Sequence, residues 1–275
     1  MAKQSEPSRA RSKLTHLPVV GPIARMDPWW WLVVIVIGLI IVLVTVRADP
    51  FWDILLFVRD GIIVTVIITV TSFLLVLIVG MFGGLGRLSQ KPIIYGLSSL
   101  YVEVVRGIPL LVQLIWWYFA FPTVIQQIGR WLNIAALANY QANAIVTAIV
   151  GLVVCYGAYM SEIYRAGIQS IPKGQTEASR SLGMTRFQSM RHVILPQAIR
   201  VILPPVGNEF IALLKDSSLV SVVAVADLTR RGREFMATHF NPIEVWTLIA
   251  LLYLVMTLFS ARMVTRVEKK THYER

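Results

Sequence analysis

From Gly61 to Met81 the chain reads GIIVTVIITVTSFLLVLIVGM, with no charged side chain. A run of this kind has few places to go: it is long enough, as a helix, to cross a lipid bilayer. It is not alone. Trp29 to Val46 covers roughly 27 Å at a helical rise of ~1.5 Å per residue, and Trp29, Trp30 and Trp31 stand at its start, as an interfacial aromatic belt would. Further apolar runs lie within Pro92–Phe121, at about Ala142–Met160, within Val201–Ala226 and at about Val245–Met263. Over all 275 residues 56% are hydrophobic and 15% are charged, against about 25% charged in soluble domains. The expected fold is an all-α polytopic membrane protein with about six transmembrane helices. No A-x-A cleavage site follows Val46, so the first run is expected to be an uncleaved anchor rather than a signal peptide.

Loop charge orients such a chain, because Lys and Arg gather on the cytoplasmic side. The leader, residues 1–28, holds Lys3, Arg9, Arg11, Lys13 and Arg25; the next loop on that side holds Arg87 and Lys91. The loop after the fourth run holds Arg165, Lys173, Arg180, Arg186, Arg191 and Arg200, and the tail, residues 267–275, is basic too. These four segments alternate correctly with six spans, which predicts cytoplasmic N- and C-termini in a bacterial plasma (inner) membrane. The net charge of +11 then reflects membrane lipid and orientation, with no nucleic acid implied. The segment Arg47–Asp60, with Asp49, Asp53 and Asp60, is expected to be an outer loop. Arg230, Arg231 and Arg233 break the rule by falling outside.

One polar stretch interrupts the apolar pattern. Pro172–Pro196 contains EASRSLGMTRFQSMRHVILP from Glu177 onward. Pro172 suits a first helical turn. Ala178 and Leu182 share a face at i,i+4 spacing. Gly183 is placed to take the left-handed position that stops a helix. Thr185 and Gln188 have the spacing of a capping box that starts a second helix, and Pro196 is expected to end it. Two short helices joined at a glycine make a rigid knob. The residues alone fit two uses: a docking element for a cytoplasmic partner, and an interfacial helix lying on headgroups.

The segment resembles the EAA loop of ABC importer permeases, which reads Glu-Ala-Ala, three residues, Gly, nine residues, Ile, one residue, Leu-Pro. Glu177, Ala178, Gly183, Leu195 and Pro196 match; Ser179 replaces the second alanine and Val193 the isoleucine. Three further stretches resemble the polar amino acid branch of that family: YVEVVRGIPLLVQ (101–113), SEIYRAGIQSIPKGQ (161–175) and LKDSSL (214–219). Together they cover about Gly61–Arg266, a five-helix importer core with the first span as an addition. The resemblance implies that Glu177, Ala178, Ser179, Gly183, Leu195 and Pro196 couple the chain to a separate ATPase dimer. It also implies a second permease subunit, the same or related, and an extracytoplasmic amino-acid-binding protein. ATP and Mg would be bound by the ATPase, with no cofactor in this chain.

Charged residues inside apolar segments are expensive and face protein or water. Glu103 and Arg106 are three apart, as are Glu162 and Arg165, so each is expected to form a structural ion pair on one helix face. Gly107-Ile108-Pro109 marks a kink or break. In the fifth run, Asn208 and Lys215 fall on one side of a helix, and Glu209 and Asp216 on the next, since an offset of seven is within ~20° of eclipse. With Ser217, Ser218 and Ser221 they form a polar stripe, which fits a substrate path or gate and equally an ion-pair network between subunits. An ion-gradient transporter using Glu209 or Asp216, and a membrane-anchored interaction protein without transport, are the competing functions. The chain has no G-x-x-x-x-G-K-[ST] for ATP hydrolysis, no G-x-S-x-G nucleophile motif and no Cys/His set with metal spacing. Its lone Cys155 is expected to be a packing residue.

Overall fold

A computed structural model describes residues 28–271. The leader up to Asp27 and residues 272–275, on which the expected placement of the termini rests, lie outside that range. The helices are α1 Pro28–Val46, α2 Ala48–Arg87, α3 Pro92–Gly107, α4 Leu110–Ile115, α5 Phe121–Trp131, α6 Ala135–Ala138, α7 Ala144–Gln169, α8 Lys173–Ser181, α9 Arg186–Ser189, α10 Leu195–Asp216, α11 Leu228–His239 and α12 Pro242–Thr271. No strand occurs among the described residues. α2, α7 and α12 are each long and apolar enough to cross a membrane, and α3 with α4–α5 makes a fourth crossing only across a 103° bend. α1 is a shorter apolar helix. α10 has the length but carries Arg200, Glu209, Lys215 and Asp216.

The expected outer loop Arg47–Asp60 is helical instead. α2 runs 40 residues, with a kink at Asp49 (φ −92°, ψ 120°), and from Pro50 onward its turns are continuous with the span. The reason is legible in the side chains. Phe51, Ile54, Leu55 and Val58 recur at helical spacing, and Phe51, Ile54 and Val58 are buried. They pack with Val44, Leu228, Phe235, Val245, Leu248 and Ile249 in one of two apolar cores. Hydropathy alone missed this helix because its exposed face carries the aspartates.

The second core joins α2, α4, α7, α10 and the 3-10 segment Ser217–Val223 through Ile68, Val76, Leu114, Leu152, Met160, Leu213 and Val220. Here α2 and α7 come very close. A Cβ on Gly80 would stand 2.4 Å from Met160 Cγ, one on Gly83 2.1 Å from Ser161 Oγ, and one on Gly84 2.9 Å from the Ser161 carbonyl oxygen. Real Cβ atoms do not approach so near, so glycine is required at this contact. Small residues are how helices in lipid gain packing area.

The break at Gly107–Pro109 is present, and Gln113 closes it. The side chain is buried, and its Nε2 donates to the carbonyls of Val105 and Ile108, both at 2.8 Å. Pro109 interrupts the helical ladder, and a side-chain amide supplies the missing donor. The two π turns, Trp116–Ala120 and Met190–Ile194, stand in the same register to a proline, two residues ahead of Pro122 and Pro196. A proline clashes with the carbonyl four residues back, and a wide turn there relieves the clash. Pro196 therefore does not end a helix, as its position suggested. It sits in the first turn of α10, and the backbone stays helical from Arg186 to Asp216.

Two substitutions test this architecture. Gly83→Val should force α2 away from Ser161 at a cost of about 1–3 kcal/mol, read as a melting point several degrees lower for the detergent-solubilised chain. Gln113→Leu should leave the Ile108 carbonyl without its donor and the Val105 carbonyl with only the Ile108 N–H at 3.3 Å, at about 1 kcal/mol or more in total. An unchanged melting point in either variant would contradict the corresponding contact.

Candidate functional site

The polar loop folds as a capped pair of helices. α8 ends in a complete Schellman arrangement: Met184 N–H donates to the Ser179 carbonyl at 3.2 Å and Gly183 N–H to the Arg180 carbonyl at 3.0 Å. Gly183 sits at φ +82°, and a Cβ there would meet no neighbour within 4 Å, so the requirement for glycine is conformational rather than steric. α9 opens with the expected capping box. Gln188 N–H donates to Thr185 Oγ1 at 3.2 Å, and Thr185 N–H donates to Gln188 Oε1 at 2.8 Å. Ser179, where the motif carries alanine, is buried and hydrogen-bonds Ser189 across the pair at 2.5 Å. Sequence reading passed over Ser189 because nothing in its spacing marks it. At the tip, Leu182 and Phe187 are 80% and 71% exposed, and Glu177 and Ala178 are exposed beside them. Leu195 and Pro196 lie at the base, in α10.

Beyond that base, α10 borders two cavities that meet at Tyr159 and Glu209. One, of about 390 Å³, is lined by Arg106, Tyr159, Glu162, Gly167, Pro205 and Glu209 among others. Its neighbour, about 240 Å³, is lined by Leu110, Cys155, Tyr156, Tyr159, Glu209, Ala212 and Asp216. Tyr156 donates its hydroxyl to Asp216 Oδ2 at 2.7 Å, and the Arg106 guanidinium stands 5.1 Å over the Tyr159 ring. Three carboxylates (Glu162, Glu209 and Asp216), a guanidinium and two phenols thus share one groove. The polar stripe divides across it. Glu209 and Asp216 face the cavities, while Asn208 and Lys215 are exposed on another side of α10. Ser217 is buried and donates to the Leu214 carbonyl at 2.7 Å, and Ser218 is half-buried. Neither serine is among the residues lining these two cavities.

The ion pairs differ from expectation at one of the two sites. Glu162 accepts from Arg165 Nε at 2.9 Å and also from Arg87 Nη1 at 2.7 Å, which ties α7 to the end of α2. Glu103 and Arg106, predicted to pair, do not. Glu103 lies 3.9 Å from Arg87, and Arg106 turns to Tyr159. The break after Gly107 explains the difference. It follows the last turn of α3, from which Arg106 reaches the Tyr159 ring of α7. Arg230, Arg231 and Arg233, which broke the loop-charge rule, each have a partner. Arg231 Nε donates to Asp60 at 3.0 Å, Arg230 and Arg231 each bond Glu234 at 2.9 Å, and Arg233 donates to Ser221 at 2.6 Å. Arg230, and then Arg231, hold the Glu234 carboxyl below its usual range. Asp227, fully buried, caps α11 by accepting from the backbone N–H groups of Thr229 and Arg230. Among the described residues no group of three His, Cys, Asp or Glu side chains could hold a metal ion.

Comparison with known proteins agrees with this arrangement. The profile of the binding-protein-dependent transport system inner membrane components matches residues 76–273. The glutamine transport system permease protein GlnP of Escherichia coli K12 is 36% identical over 194 residues, 70% of this chain and 83% of that protein. The L-cystine transport system permease protein TcyB of Bacillus subtilis is 36% identical over 204 residues, 71% of this chain and 81% of that protein. In a solved crystal structure of an amino acid ABC transporter with histidines, one chain superposes with a TM-score of 0.70 at 37% identity, covering 83% of this chain and 97% of that one. A chain of the methionine transporter MetNI shares the fold at 21% identity and a TM-score of 0.66. The profile match begins at Val76, late in α2, so α1 and residues 48–75 of α2 stand outside it. An all-helical, multi-pass inner membrane chain with this loop at this place belongs to the binding-protein-dependent transport system inner membrane components, the non-enzymatic permease subunits of ABC importers.

Proposed function

We propose that the chain is the permease subunit of an ATP-driven importer for polar amino acids. Glutamate, glutamine, aspartate, histidine and arginine are candidate substrates. The α8–α9 knob is the coupling element, through Glu177, Ala178, Ser179 and Gly183, with Leu195 and Pro196 carrying it into α10. The observation that bears most weight is continuity. The knob is capped on both sides of its bend, bares Leu182 and Phe187, and passes without a helix break into the segment carrying Glu209 and Asp216. A separate ATPase dimer, which binds ATP and Mg, seats on the bare tip. Nucleotide binding by that dimer favours one arrangement of the permease over another, a population shift with rigid-body motion. The knob side and both termini are cytoplasmic, in accord with the loop arginines.

In the groove, Glu209 and Asp216 are suited to a substrate ammonium, and Arg106 to its carboxylate. A binding protein delivers substrate from outside, and a second permease subunit completes the path. Homologues named for glutamine, cystine and glutamate/aspartate transport support the substrate class.

Uptake of a labelled amino acid panel into proteoliposomes containing this chain, its ATPase and its binding protein tests the proposal. Uptake should need ATP, and Gly183→Val should abolish it. At φ +82° a β-branched residue is strained, so the knob loses its shape and ATPase co-purification drops. Uptake that survives without ATP and collapses with the ion gradient would overturn the reading.

Glu209→Gln should lower uptake at least about tenfold, equivalent to roughly 1.4 kcal/mol of lost transition-state stabilisation. The assembled complex should be recovered in normal yield. Loss of assembly instead would make Glu209 a structural group.

A further inference from the structure

The groove along α10 is pinched at one place. Tyr159 and Glu209 line both cavities, whereas Arg106, Ser170 and Val201 line only the one on the knob side, and Cys155 and Asp216 only the inner one. A solute moving along the groove has to pass the Tyr159 ring. That ring bears no charge with which to hold an amino acid, and yet it stands in the way.

Arg106 holds the ring in place. Its guanidinium stands 5.1 Å over the ring centroid, and no carboxylate of the described residues lies within 4 Å of it. The two partners are mounted differently. Tyr159 belongs to α7, which the glycine contact fixes on α2, and the neighbouring Tyr156 ring, 6.2 Å away, is tied to Asp216. Arg106 is exposed at the end of α3. A Cβ on Gly107 beside it would meet nothing within 4 Å, so the long side chain has room to leave the ring while the backbone stays.

A cation over an aromatic face is a modest attraction, enough to bias an arrangement and not to lock it. A carboxylate offered to the same guanidinium is a better partner, through charge-assisted hydrogen bonds. A substrate in the inner cavity whose carboxylate reaches Arg106 draws the cation off the ring. The ring can then turn, and the way to the knob side opens.

We propose that Tyr159 is the positioning residue of the groove: held by Arg106, it closes the inner cavity toward the knob, and a substrate carboxylate releases it. What passes the ring rests on the importer reading above; the partition itself does not.

Cys155 is the only cysteine of the chain and lines the inner cavity, so it reports access to that cavity. The complex of this chain with its ATPase is sealed into vesicles, a charged, membrane-impermeant methanethiosulfonate is applied from the knob side, and the modified fraction of this chain is followed by mass. Tyr159→Leu and Arg106→Gln should each be labelled at least about fivefold faster than the native chain, a shift within reach of one cation–π contact. Tyr159→Phe keeps the ring and Arg106→Lys keeps the cation, so both should stay near the native rate. Arg106→Lys should nonetheless raise the KM for uptake, because it loses the two-pronged carboxylate contact. Equal labelling of Tyr159→Leu, Arg106→Gln and the native chain overturns the partition, as does Tyr159→Phe labelled as fast as Tyr159→Leu. Should Tyr159→Leu fail to assemble, Arg106→Gln decides. The expected labelling in a complex without ATP-driven uptake supports the partition and overturns the importer reading alone. ATP-driven uptake with labelling indifferent to both residues does the reverse.

Discussion

Much of this molecule depends on how closely α2 and α7 approach. In water, two apolar helices are driven together by the solvent; in lipid they are not, because the surrounding chains are as apolar as leucine. What remains is contact area, and Gly80, Gly83 and Gly84 raise it by letting the α7 backbone lie directly on α2. Other interactions follow from that placement. It sets Arg87 within 2.7 Å of Glu162. With α7 fixed there, the Tyr101 hydroxyl of α3 donates to the Val154 carbonyl at 2.7 Å, and the Tyr156 and Tyr159 side of α7 is left for α10. The groove is what lies between a tightly held pair and a third helix with another role.

The end of the bundle at the start of α2 is built on a different principle. The first turns of α2, together with α11 and the start of α12, enclose an apolar core of their own, sealed by ion pairs. Gly61 brings α2 against the start of α11, where a Cβ would stand 2.9 Å from Leu228 Cα. Leu228 N–H then donates to Thr65 Oγ1 at 3.1 Å. At the other end of the bundle, the Arg266 guanidinium lies 5.3 Å over the Trp30 ring, joining α12 to α1.

Much of this was legible in the sequence, for identifiable reasons. Apolar runs in lipid must become helices, so the spans could hardly be anything else. Gly183, Thr185 and Gln188 declared themselves because caps depend on local chemistry that the chain carries within a few residues. The readings that failed involved distant partners. Arg106 had a carboxylate three residues away and chose an aromatic ring on another helix. Phe51, Ile54 and Val58 spell a helix only once the core that buries them is known. Pro196 looked like a stop because the π turn that accommodates it leaves no mark in composition. The two faces of α10 were visible as an offset of seven, but which face lined a cavity required α7 to be in place.

The helical run from Arg186 to Asp216, which carries the π turn Met190–Ile194 and the prolines Pro204 and Pro205 within it, has the geometry of a lever. It is gripped near one position from two sides: Ile202 nests on Gly167 of α7, and Gly207 on Val264 of α12, each so close that a Cβ on the glycine would stand 2.2 Å from its neighbour. Measured from Gly207, the arm toward the knob is roughly 32 Å and the arm toward Asp216 roughly 14 Å. Turned as one body about that grip, the run would bring a swing at the tip to the carboxylates reversed in direction and cut to less than half its size. Such gearing trades distance for force. On the importer reading proposed above, a large motion of a partner at the knob would reach the groove as a small step.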